Sequence, residues 1–251
     1  MSDSAYLGEV TLTLNADGAL PVTDTAHALW EDEVEQDPAM ITRIDAWRAP
    51  HLAELGEQIG TAAQPLTRQY KTESPIDKLA CRVMRDATGA QIGFMPGVGY
   101  GITIPAGPVT REALTTLLPH PSKFATLTLT GAQLRSILEQ SATNQAPDDP
   151  LDVVGGILQT DGVVWSADLR KPAGKRVTEI HVDGAPVTDD GTYTAVLNAG
   201  LLRGLHRLTT FAEGHDISRR DELVQDLLID AMGRGDPIAP PPLGDFVLTR
   251  G

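Results

Sequence analysis

Apolar and polar positions alternate from Tyr6 to Leu14, the period-two pattern of a half-buried strand, and Asn15-Ala16-Asp17-Gly18 reads as the turn that ends it. A second strand is expected near Leu20 to Thr25. Asp37 followed by Pro38 marks a helix start, because a carboxylate can cap free backbone N–H groups and proline's fixed φ suits the first helical position. Ile41, Ile44, Leu52, Leu55 and Ile59 then recur at roughly helical spacing, and Pro50 must break or kink the run. The stretch from Gly60 to Glu73 is polar and irregular and reads as a linker.

The same signature, a capping residue and then proline, returns at Ser74-Pro75. Ile76, Leu79, Ala80, Val83 and Met84 form one apolar stripe that ends near Gly89. A short strand is predicted over Gln91 to Met95, then a glycine-rich loop, PGVGYG, from Pro96 to Gly101. Thr110 caps a short helix to Leu118, Phe124 to Leu129 alternates as a strand, and Gly131 to Ala142 is an amphipathic helix with Leu134, Ile137 and Leu138 on one face. Ala146 to Leu151 is a Pro/Asp-rich loop. Strands are expected at Val163 to Ala167, Arg176 to Val182 and Thr192 to Leu197, with Asp183-Gly184 as a hairpin turn between the last two. Ser218 to Met232 is expected to be helical and PIAPPPLGDF an extended tail. Helices and strands mix without a regular βαβ beat and without internal repeats, so the predicted class is α+β.

Composition narrows the function classes. A chain of 251 residues, 41% apolar, can bury one large core or two smaller ones. Its net charge of −14 argues against nucleic-acid binding, which rests on neutralising phosphates with Lys and Arg. No stretch of about 18 apolar residues is present, so no membrane span is expected. MSDSAYLGEV lacks the charged and apolar regions of a signal peptide, and none is expected in this chain. Cys81 is the only cysteine, which rules out an intrachain disulfide, and its place on the apolar helix face predicts a buried, inert thiol.

Motifs that carry chemistry are sparse. The glycines of PGVGYG permit positive φ and the close approach of a ligand, or serve a plain structural turn. The loop matches neither G-x-x-x-x-G-K-[ST] nor G-x-G-x-x-G, and no G-x-S-x-G elbow occurs. The six histidines, His27, His51, His120, His181, His206 and His215, form neither H-x-H nor H-E-x-x-H, so no metal centre is expected from this chain's own residues.

The order of segments from about Glu73 to Phe211 resembles the C-terminal domain of the 5'-nucleotidase family. The matching pieces are SPIDKLACRVM, GAQIGFMPGVGYGITIPAGPVTREAL, TLTLTGAQLRSILEQSA, GGILQTDGVVWSAD, GKRVTEIHVDGAPV and TYTAVLNAG. Within that superfamily Pro96-Gly97, Tyr100-Gly101, Thr110-Arg111-Glu112, Asp77-Lys78-Leu79 with Cys81, and Arg48-Ala49-Pro50 are similar to the thiosulfohydrolase of the Sox sulfur-oxidation system. The resemblance implies two segments: residues 1–72 as the terminal hairpin of a metallophosphatase domain plus its connecting helix, and residues 73–251 as a substrate-recognition domain. It implies a periplasmic or extracellular setting. It also implies a pair of divalent ions, manganese or zinc, on a metallophosphatase domain or subunit, because the motifs that hold them in the family are absent here.

The implied ligand surface is Pro96, Gly97, Gly99, Tyr100 and Gly101, with Arg111 and His120 beside it, and the implied partners include a carrier protein or a small anionic substrate. The sequence departs from the family at the gripping residues. Nucleotidases carry arginine where Gly101 stands, and the thiosulfohydrolase where Gly99 stands. His120 replaces a phenylalanine, and a stretch around Arg203 to Leu208 replaces a Gly-Gly-Asp-Gly-aromatic element. A purine sandwich is therefore not expected, and the site is expected to take a weakly charged target such as a protein tail, with Tyr100 as its aromatic anchor. The rival expectation is a free-standing binding module that has lost its hydrolase.

Overall fold

The computed structural model describes residues 6–18, 20–29, 34–147, 149, 151–152 and 154–250, and it divides the chain into two compact units, 1–55 and 56–251. The first unit holds an antiparallel hairpin, β1 (Tyr6–Leu12) and β2 (Val22–Ala28), in register from Tyr6–Ala28 to Leu12–Val22. It continues with α1 (Pro38–Arg48), a 3-10 turn over Ala49–His51 and a four-residue α2 (Leu52–Leu55). Asp37 caps α1, its carboxylate accepting from the N–H of Ala39 (2.8 Å) and of Met40 (3.1 Å). Pro50 falls in the 3-10 turn, the break that its ring imposes on a helix. No residue of α1 is buried.

In the second unit the stretch read as a linker is structured. β3 (Gln58–Ala62) opens it and pairs antiparallel with β5 (Gly107–Thr110), and Leu66 beyond it is fully buried. The polar, irregular pattern misleads here because the strand is short and its backbone is paired through partners about 50 residues away, which leave no local periodicity. The expected boundary at 72/73 thus falls inside this unit. α3 (Pro75–Thr88) is capped by the Ser74 hydroxyl and ends at Gly89, whose φ of 72° is the left-handed conformation that closes many helices. β4 (Ile92–Met95), α4 (Arg111–Leu117) with Thr110 as cap, and β6 (Lys123–Thr130) follow close to expectation. α5 (Gly131–Gln145) starts with a reciprocal cap: the Thr130 hydroxyl accepts from the Gln133 N–H (3.2 Å) and the Gln133 side chain accepts from the Thr130 N–H (2.9 Å).

The remaining elements are β7 (Gln159–Asp161), β8 (Val163–Asp168), β9 (Val177–Val182), β10 (Ala185–Pro186), β11 (Thr192–Asn198), β12 (His215–Leu223), α6 (Val224–Met232) and β13 (Phe246–Thr249). Asp183 and Gly184, both at positive φ, turn β9 into the two-residue β10 and not directly into β11. The C-terminal part differs from the expected helix over Ser218 to Leu223 and adds a strand after the extended tail. Ser218 to Leu223 is strand, because it pairs with the edge of β6, and the helix begins only at Val224. The proline-rich tail ends in a strand, because Phe246–Thr249 adds in parallel to β8.

A five-stranded sheet in the order β12-β6-β11-β4-β7 lies at the centre, with β11 and β4 parallel and the other pairs antiparallel. A second sheet, β10-β9-β8-β13, packs with α5 against one face of the first. Period-two alternation decides which side chains meet which layer. Ala125, Leu127, Leu129, Ala195 and Leu197 face α5 and Trp165, whereas Phe124 and Val196 face α3, α4 and α6. The unit is α+β as predicted.

Electrostatics tie α3 to the edge of the central sheet. Asp161 on β7 is 2% exposed and receives Nε (2.8 Å) and Nη2 (3.1 Å) of Arg82, with Arg85 Nη1 on the same carboxylate. Burial would raise its pKa, but the hydrogen bonds and charges of the two arginines prevail and hold it below the usual 3.8. A carboxylate with a depressed folded pKa stabilises above its unfolded pKa, and that stability is lost as pH falls through the folded value. Asp161→Asn is therefore expected to lower the urea midpoint at neutral pH, with the gap to the parent closing below about pH 4. A gap of constant size down to about pH 2 would show that Asp161 acts through packing and not through charge.

Candidate functional site

The second unit contains a cavity of about 810 Å³. Its walls come from the loop after β4, the segment 118–124, the residues after β11 and strand β12. Pro96, Tyr100 and His120 line it, so the structure brings together three of the residues singled out from the sequence.

The glycines of the loop serve a different need. A Cβ on Gly97 would strike the Ile157 carbonyl, and one on Gly99 would stand 2.7 Å from Tyr70 Cβ. Gly156 N–H to Gly97 O (2.8 Å) ties the loop to one neighbour, and Ile157 N–H to Tyr70 O (2.9 Å) ties the two neighbouring segments to each other. Close backbone packing is thus what demands glycine at 97 and 99, and of the three only Gly101 uses positive φ, at 103°. An arginine at position 99 would not fit unless Tyr70 moved. Arg111 does not line the cavity; it pairs with Glu57 (Nε to Oε2, 2.9 Å) beside β3.

Tyr100 is held between two partners. His120 meets its ring edge-on, with centroids 5.5 Å apart and planes at 78°. The Arg68 guanidinium lies over its face, 5.2 Å from the centroid, a cation–π contact. Arg68 is itself fixed by Asp77, Nη2 to Oδ1 at 2.8 Å and Nε to Oδ2 at 3.1 Å. Asp77 has no exposed surface, and Ser74 Oγ donates to it at 2.6 Å. Desolvation raises the Asp77 pKa above 3.8, against the opposing pull of Arg68 and Ser74. A residue assigned to the linker by its sequence therefore sets the posture of the aromatic side chain in the cavity.

His206 also lines the cavity, and it escaped notice among the scattered histidines. It has φ 56° and Arg207 has φ 58°, conformations that are strained for residues other than glycine. Asn144 Nδ2 donates to the His206 carbonyl (2.7 Å), and Arg207 grips Asp152 with both terminal nitrogens (2.7 and 2.8 Å), which holds the strained step in place. Burial lowers the His206 pKa below 6.5 and keeps the ring neutral at pH 7. Arg203, Arg219 and Arg220 line the cavity as well. A sequence signal existed for two of them, since Arg219-Arg220 is the only Arg-Arg step in an acidic chain. Among the described residues no group of three or more His, Cys, Asp or Glu could hold a metal ion, and no helix is long and apolar enough to cross a membrane. Cys81 is buried, and desolvation pushes its thiol pKa well up, so it is inert as expected.

The sequence pattern of the 5'-nucleotidase C-terminal domain matches residues 58–213. Among curated proteins, the chain is 25% identical over 197 residues to an apyrase of Anopheles gambiae, covering 72% of this chain and 32% of the apyrase. It is 24% identical over 229 residues to a 5'-nucleotidase of Diplobatis ommata, covering 79% of this chain and 38% of that protein. Among solved structures, a 5'-nucleotidase precursor of Thermus thermophilus superposes with a TM-score of 0.84 at 22% identity, over 98% of this chain and 50% of the other. The sulfate thiohydrolase SoxB of Thermus thermophilus superposes with a TM-score of 0.81 at 21% identity, over 97% and 44%. At these identities the structural likeness speaks for the fold. The chain spans about a third of the length of those two curated relatives and about half of those two solved ones.

Arg68→Met is expected to destabilise the unit by about 3–5 kcal/mol, because it leaves the Asp77 carboxylate buried and unpaired. Adding Asp77→Asn should recover part of that loss in urea unfolding. A double variant no more stable than Arg68→Met would show that the arginine acts through its stem and not through the ion pair.

Proposed function

The chain belongs to the 5'-nucleotidase C-terminal domain family, and on that premise we propose that it is the substrate-recognition part of a metallophosphatase-type hydrolase whose metal centre is carried by another domain or subunit. The observation that carries this reading lies in residues 1–55. Every residue of β1 is exposed, with Tyr6, Leu7, Val10 and Leu12 between 50% and 63%, and Leu14, Leu20 and Val22 beyond it are equally bare. A two-stranded hairpin with no layer on it is marginal by itself. Contiguous apolar surface of this kind marks a face that another element covers. A metallophosphatase domain, of which this hairpin would form the edge, fits that need.

In this division of labour a manganese or zinc pair on the other part would activate water as a Lewis acid, and no residue here is assigned a step in that chemistry. The cavity's part is to hold the non-reacting portion of the substrate. Binding energy gathered there positions the reacting group and so sets specificity between substrates. A periplasmic or extracellular setting belongs to the same reading.

The purified chain, assayed with manganese or zinc and a generic phosphate ester, is expected to show no turnover. Joined to a metallophosphatase domain of the same genome, it is expected to yield a metal-dependent hydrolase, and Leu12→Asp on the hairpin should weaken that association. Turnover by the chain alone that a chelator abolishes would overturn the proposal. So would a failure of the two parts to associate at micromolar concentration even when linked, which would favour a binding module without a hydrolase.

A further inference from the structure

The expectation of a weakly charged ligand rested on the arginines missing at positions 99 and 101. The folded chain places other cations around the same opening. Arg68, Lys123, Arg203, Arg219 and Arg220 line the cavity, against a single acid, Asp221. Two of the five are already committed, Arg68 to the buried Asp77 and Lys123 to Asp221 (Nζ to Oδ1, 2.6 Å). Arg203, Arg219 and Arg220 are exposed and have no carboxylate partner among the described residues. In a chain with 34 acidic residues and a net charge of −14, three unpaired guanidinium groups around one concave site stand apart from the rest of the surface. Like charges held together repel one another, and a concavity with apolar walls focuses their field, so an entering anion is the natural counterpart.

The aromatic groups do not form a sandwich for a base. Tyr100 has one face under Arg68 and its ring at 78° to His120, so the pair offers no parallel plates between which a planar ring could slide. His206, kept neutral by burial, adds no charge of its own to the repulsion.

We propose that the part of the ligand held in this cavity is a compact small-molecule polyanion, carrying two or more negative charges on phosphate, sulfate-type or carboxylate groups, gripped by Arg203, Arg219 and Arg220. The three forks give directional, bidentate recognition that a lysine cluster would not. The proposal rests on the reading of this cavity as the recognition site, and it gives that site its substrate class.

Its test uses the isolated chain and needs no hydrolase activity, so its outcome is independent of whether a metal-bearing partner is found. Inorganic pyrophosphate, citrate and adenosine are titrated separately, followed by heat and by amide shifts. Pyrophosphate or citrate should bind at low ionic strength, shift the amides of β12 and of the segment after β11, and weaken as salt is raised from roughly 20 to 300 mM. Arg203→Ala/Arg219→Ala/Arg220→Ala, all at exposed positions, should keep the melting temperature and lose at least about tenfold in affinity, some 1.4 kcal/mol. Binding by both anions assigns the site to charge and shape, and binding by pyrophosphate alone assigns it to phosphate-type groups. Absence of binding by either anion, anion affinity that the triple variant retains, or adenosine binding centred on Tyr100 would each overturn the proposal.

Discussion

A carboxylate without solvent at the start of a helix has to be matched by a cation, and much of the second unit is arranged around that requirement. Asp77 is completely buried in the first turn of α3, and Arg68 reaches back from the segment before the helix to pair with it through two hydrogen bonds. One residue on, Lys78 is buried as well, with its ammonium between Glu73 (2.6 Å) and Asp245 (2.9 Å). Gln159 closes the knot from the sheet: its side-chain carbonyl accepts the Ser74 N–H at 2.6 Å, and its side-chain amide donates to the carbonyls of Thr72 and Ile157. Three stretches of chain meet here, 68–78, 157–159 and 245, and the buried polar groups find their partners within and between them. Removing one partner strands the rest in a medium where an unpaired charge is costly.

The cavity inherits its geometry from this knot. The glycine-rich loop lies against Tyr70 and residues 156–157 because Gly97 and Gly99 have no side chain to hold those backbones away. Arg68, anchored by Asp77, covers one face of Tyr100, and His120 takes its edge. A ligand therefore meets at most one open face of the ring, where an isolated tyrosine would present two. The remaining walls are cationic because β12 runs along the sheet edge next to β6 and carries Arg219 and Arg220 past the opening.

Residues 1–55 show the opposite balance between local rules and burial. β1 and β2 form and pair in register, and Asp37 caps α1, as the sequence pattern dictates. Yet α1 buries nothing, and Met40, Ile41, Ile44 and Trp47 stay exposed. Local propensity suffices to draw these elements. The apolar surface that normally stabilises them has no counterpart within the unit, and tertiary burial is where most helical and hairpin stability originates.

The sequence alone determined what depends on neighbours along the chain. The caps at Asp37, Ser74 and Thr110, the helix end at Gly89, the alternation in β6, β8 and β11, the amphipathic face of α5 and the α+β class all rest on periodicity or on a side chain reaching a backbone group a few residues away. The family resemblance was carried by the same contiguous segments. The tertiary structure decided whatever depends on partners distant in sequence. Ser218 to Leu223 is polar except for Leu223, so no apolar period fixes its form, and it becomes strand because the edge of β6 is there to accept its hydrogen bonds. The polar stretch after Gly60 becomes β3 and the Arg68 latch because β5 and Asp77 supply its pairing. Arg68, Arg203, Arg219 and Arg220 are spread over about 150 residues of chain, and no spacing rule could group them. Only the folded backbone brings their charges to one opening, because electrostatic fields add by distance in space and not by position in sequence.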